Sequence, residues 1–102
     1  MANPYRGEAT LRVADHTYTL RLTLGALAAL EAHFKAADLA ALINQLLAAC
    51  YTSADLALVL EEALVAGGDV SRQEAQTLLA QAGKPLDLGH AYVALMQATF
   101  RS

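Results

Sequence analysis

His16, His33 and His90 are the only imidazoles and Cys50 the only thiol among 102 residues. Nucleophilic, acid–base or metal chemistry would have to be assembled from these groups and the carboxylates. Imidazole titrates near neutral pH and is a common metal ligand, and a thiolate is both nucleophile and ligand. A working site holds such groups beside polar partners, and the spacing here does not supply them. His16 falls in a turn, His33 on a helix and His90 at a helix start, none at a ligand spacing from another histidine or a carboxylate. Each reads as solvated or locally satisfied. One cysteine closes no intrachain disulfide and builds no cysteine-based zinc site. Cys50 continues an apolar helical stripe and reads as a small buried hydrophobe.

Glu61-Glu62 is the sole pair of adjacent carboxylates. Neighbours on a helix point about 100° apart and do not share a proton, so the pair reads as a solvated face. The stretch from Gly68 to Glu74 lies between two helices but lacks the alternating Asp/Asn ladder, central glycine and terminal glutamate of a calcium loop. The same helix, turn and helix has Arg72 as its one nearby base, too little for a DNA-binding unit. Neither a phosphate-binding glycine loop nor a nucleophile or zinc-protease motif occurs. The expectation is a protein without enzymatic activity, metal or cofactor.

Composition narrows the partners. Charged residues are 17% of the chain and hydrophobic ones 56%, with a net charge of −3; about 25% charged is usual for soluble domains. Arg6, Arg12, Arg21, Lys35, Arg72, Lys84 and Arg101 are scattered along the sequence, whereas nucleic-acid binding needs basic residues gathered on one face. No apolar run is long enough to cross a bilayer, and no basic start leads into an apolar signal segment. These features exclude nucleic acid and membrane as expected partners and imply an intracellular setting.

The elements follow from periodicity. Residues 7–14 alternate, with Ala9, Leu11 and Val13 on one face, and residues 17–23 repeat the pattern with Tyr18, Leu20 and Leu22. A two-residue turn at Asp15-His16 would pair Val13 with Tyr18, Leu11 with Leu20 and Ala9 with Leu22. Such a hairpin needs helices over its apolar face. From Leu24 the period becomes 3.6, with Leu27, Leu30 and Phe34 in one arc of a helix ending near Lys35. Asp38 is an N-cap for a second helix carrying Leu39, Leu42, Ile43, Leu46, Leu47 and Cys50. Thr52 with Asp55 opens a third, which stops at Gly67-Gly68. Ser71 with Glu74 is a capping box for a fourth, ended by Gly83, and Pro85 with Asp87 opens a last helix running nearly to Ser102. The predicted fold is α+β and mostly α, an N-terminal antiparallel β-hairpin on a bundle of five short helices. It forms a single domain over 1–102, with the hairpin at 6–23 and the bundle at 24–101.

Apolar residues remain in unexpected places. On the third helix Leu56, Val59, Leu60, Ala63 and Leu64 share the core arc, while Leu58 and Val65 point to the far side between Glu61 and Glu62. On the last helix Val93 and Phe100 widen the apolar face. Either these four residues pack against other helices of the same domain, or they form a docking surface for a partner or a second copy. Leu58, Val65, Val93 and Phe100 are accordingly the candidate protein-binding residues.

The run from Met1 to Glu8 (Met-Ala-Asn-Pro-Tyr-Arg-Gly-Glu) and the stretch from Tyr18 to Glu31 resemble the alphaproteobacterial gene transfer agent family of tail assembly chaperones, encoded in phage-like tail gene clusters. Leu22-Thr-Leu-Gly-Ala-Leu-Ala-Ala-Leu-Glu31 carries most of the likeness. Ser53-Ala-Asp-Leu56, Ala66-Gly-Gly-Asp69 and an alanine-rich tail ending near Phe100 follow in order. The resemblance implies a cytoplasmic bacterial protein that escorts the long tape measure protein and recruits tail tube subunits. Related sequences also carry the label of tail tube proteins, so a structural subunit remaining in the tail is the alternative, and a small DNA-binding regulator a weaker one. In many tailed phages a longer chaperone arises by frameshifting. A homo-oligomer is compatible with each role.

Overall fold

The computed structural model describes residues 7–13, 15–48, 53–81 and 85–100. The N-terminal run to Arg6, Cys50, Thr52 of the Thr52/Asp55 box and Gly83 lie outside them. Strands β1 (Glu8–Val13) and β2 (His16–Arg21) pair antiparallel and precede α1 (Leu24–Phe34), α2 (Leu39–Leu47), α3 (Ser53–Gly67), α4 (Arg72–Gln81) and α5 (Pro85–Phe100). The hairpin and five helices are those the periodicity predicts.

The alternating faces are as expected, but the register is not. Ala9, Leu11, Val13 and Leu20 are buried, with Tyr18 and Leu22 packed against them. Val13 faces His16, Leu11 faces Tyr18 and Ala9 faces Leu20, a slide of two residues from the pairing of Val13 with Tyr18. A two-residue slide leaves every side chain on its original face, so the hydrophobic pattern does not distinguish the registers. It does change which edge of β2 is occupied. In a strand of L-residues the side-chain face and the direction of the N–H and C=O are linked, and the two registers put β1 on opposite edges. Here Thr19 faces Thr10 as a non-hydrogen-bonded pair, and its N–H points away from β1 to donate to Asp69 Oδ2 at 2.8 Å. The other register would turn that N–H toward Arg12 and leave Asp69 without it.

Local signals set the helix ends. Thr23, read as the last outward residue of the second strand, is the N-cap of α1, its Oγ1 accepting from the Ala26 N–H at 3.1 Å. Lys35 closes α1 in the left-handed region at φ 54°. Asp38 caps α2, accepting from Ala41 at 2.8 Å. Ser71 and Glu74 form the reciprocal capping box of α4, each side chain taking the other's backbone N–H at 3.2 Å.

All seven elements contribute to one hydrophobic cluster, with α3 at its centre. Val59, Leu60, Ala63 and Leu64 of α3 are fully buried. β2, α1, α4 and α5 pack around this helix, α5 also covers β1, and α2 rests on α1. The end of α3 meets the hairpin so closely that a Cβ on Gly67 would overlap the Thr19 carbonyl. Gly68, at φ +87°, then turns the chain out of the helix. Gly67 and Asp69 together cover the free edge of β2, the usual site of unwanted strand pairing.

Candidate functional site

α2 contains no charged residue, and its apolar stripe is wider than its contact with α1. Leu42 and Leu46 are fully buried, Ile43 is half-buried, and Leu39 and Leu47 are 38% and 52% exposed. The last turns of α2 and α5 border an open groove of about 650 Å³, lined by Leu46, Leu47, Tyr92, Val93, Met96, Gln97 and Phe100. None of these residues is charged. A polar contact helps fix the floor: the Tyr92 hydroxyl donates to the Leu46 carbonyl at 2.6 Å in a buried position, satisfying one of the carbonyls that a helix leaves open in its final turn. The rim stays apolar and accessible, with Val93 at 53%. Such a concave, uncharged strip between two helices fits the apolar face of an amphipathic helix.

A second cluster is ionic. Arg72, the first residue of α4, donates through Nη1 to Glu61 Oε2 at 2.7 Å and to Glu62 Oε2 at 2.9 Å, and through Nη2 to Glu62 Oε1 at 3.0 Å. The two glutamate side chains are 14% and 13% exposed, which corrects their reading as a solvated face. Side chains 100° apart on α3 still converge on a planar guanidinium, because its fork offers donors in two directions. These hydrogen bonds, Glu62 first and then Glu61, raise the already high pKa of Arg72 further. The Arg72 cation offsets the charge of one of the two carboxylates.

His33 Nε2 lies 4.0 Å from Asp55 Oδ1 on α3, a carboxylate neighbour that sequence spacing does not reveal across 22 positions. Among the described residues no three His, Cys, Asp or Glu side chains gather as a metal site. No helix among them is long and apolar enough to cross a membrane.

A family model described as phage tail tube protein, GTA-gp10, matches residues 6–102. The chain belongs to that family. No curated protein and no solved structure matches it. Membership agrees with the gene transfer agent kinship carried by residues 18–31, while the family's description is of the tail tube and not of an assembly chaperone.

Within this tail tube family member, the four candidate residues do not form one face. Val93 and Phe100 meet in the α2/α5 groove. Leu58 and Val65 are half-buried and packed against the core cluster, because α3 is surrounded by neighbours and its second apolar stripe is covered from within. Sequence reasoning named the α2 stripe but did not single out Leu39 and Leu47, which are exposed, as candidate contacts. The signal was present: that stripe is broader than the contact of a nine-residue helix with α1 and the end of α5 can cover.

The packing sets an expectation for Leu58→Glu combined with Val65→Glu. Two carboxylates placed against the core should cost about 2–4 kcal/mol, read as a lowered midpoint in thermal circular dichroism. A double variant that melts like the wild type yet loses its partner would return this ridge to the docking surface.

Proposed function

We propose that the protein is a non-enzymatic structural subunit associated with the tube of a phage-like tail, joining other tail proteins through the apolar α2/α5 groove. The observation that carries this reading is the tail tube family match across residues 6–102. The groove supports it physically: apolar surface between Leu47 and Phe100 is costly to leave in water and gains about 25 cal/mol for each Å² that a partner covers. A tail subunit acts in many copies, which makes self-association part of the proposal.

A second reading, a cytoplasmic assembly chaperone for the tape measure protein, is favoured by the shape of the groove. One concave uncharged strip suits one helix of a long amphipathic partner, whereas a repeating subunit needs two complementary surfaces. The readings part at the finished particle. Mass spectrometry of purified particles should find the protein in many copies if it is a subunit. Its absence from particles, together with co-elution with the tape measure protein from producing cells, would overturn the structural reading in favour of the chaperone.

A further inference from the structure

α4 differs from the other helices in how it is held. Seven of its ten residues are exposed and Ala75 is its one buried residue. Its only extensive contact is with α3. Leu78 and Leu79 reach the core cluster from its far half, and there the seam opens into a cleft of about 320 Å³ between Ala57 and Leu58 of α3 and Gln76, Leu79 and Ala80 of α4. The near half is fastened by the three hydrogen bonds from Arg72 to Glu61 and Glu62. Between the helices Gly68 stands in the left-handed region with no atom within 4 Å of where a Cβ would sit. Asp69 lies on the α4 side of Gly68, so its hydrogen bond from the Thr19 N–H is a second tether that opening at Gly68 has to release.

We propose that α4 is a lid over the Leu58 face of α3, pivoting at Gly68 and latched by the Arg72–Glu61–Glu62 cluster. Ala75, Leu78 and Leu79 are the α4 side chains that join the core cluster and oppose its opening, while α3 keeps β2, α1 and α5 around its remaining faces. Local opening of this kind exposes Leu58, Leu78 and Leu79 without unfolding the rest, as in other weakly packed units. The guanidinium side chain is 48% exposed, so dissolved salt reaches the latch and weakens it.

Hydrogen exchange of the intact protein tests the proposal. At low salt the amides of α4 should exchange at least about tenfold faster than those of residues 59–66 in α3. Raising sodium chloride to about 0.5 M should speed α4 about threefold and leave α3 unchanged. Arg72→Ala should raise α4 exchange further and remove its salt dependence. Equal protection of α3 and α4, or parallel acceleration of both by Arg72→Ala, would show that α4 opens only with global unfolding and would overturn the lid. Salt-insensitive α4 exchange in the wild type would overturn the latch without recourse to a variant.

Discussion

Gly67→Ala should lower stability by about 3 kcal/mol, although helix propensity alone predicts a gain. Alanine is favoured over glycine within a helix by up to about 1 kcal/mol, and Gly67 is the last residue of α3 with an ordinary helical φ. The added methyl would overlap the Thr19 carbonyl oxygen and lie 2.9 Å from its carbon. These are backbone atoms of a paired strand and cannot rotate away as a side chain would, so α3 has to lift from β2. That movement strains the Thr19–Asp69 hydrogen bond and loosens the packing of α3 on β2, elements whose Leu64 and Leu20 are fully buried. Overpacking of this kind typically costs about 1–3 kcal/mol, and rigid backbone places this site at the upper end. For a domain of this size the midpoint should fall by roughly 10–20 °C. Gly68→Ala is the control: no atom lies near its Cβ position, and only the left-handed φ of +87° is penalised, about 1 kcal/mol. A Gly67→Ala protein as stable as the wild type would mean that α3 does not meet the hairpin at this point.

The largest functional effect belongs to the groove. Leu47→Glu combined with Val93→Glu should leave the fold intact, because both side chains are more than half exposed and surface changes usually move stability by about 0.5 kcal/mol or less. Binding to tail partners should weaken by at least about a hundredfold. Burying one leucine or valine contributes about 1.5–3 kcal/mol, each 1.4 kcal/mol is a factor of ten, and a buried unpaired carboxylate adds a penalty. Leu24, 76% exposed at the start of α1, provides the comparison: Leu24→Glu removes an equally greasy residue from elsewhere and should retain binding. Co-purification of each variant with the tail proteins, beside matched melting curves, separates the outcomes. Undiminished binding by the Leu47/Val93 variant would remove the groove from consideration.

Leu58 and Leu47 show how far sequence carried the candidate site. Both lie on amphipathic helices and both are apolar beyond the needs of a single contact. Helical geometry resolves which side chains share a face, and it separated Leu58 from the Leu60/Leu64 arc. It does not say how many neighbours a helix has. α3 is enclosed, so its second stripe is covered; α2 is peripheral, so part of its main stripe is bare. Val93 and Phe100 were legible because α5 lies between these cases, buried through Leu95 and open at Val93.

The sequence by itself determined the hairpin, the five helices, the Asp38 cap, the Ser71/Glu74 box, the turn after α3 and the tail kinship. Each rests on relations within about four residues or on a motif read in order. Tertiary structure decided the strand register, because a two-residue slide preserves every face and only Asp69, fifty positions from Thr19, distinguishes the edges. It also decided that Gly67 is required for a close approach, that Glu61 and Glu62 converge on Arg72, and that the free apolar surface lies between α2 and α5. These outcomes depend on which elements meet in space, which local periodicity leaves open.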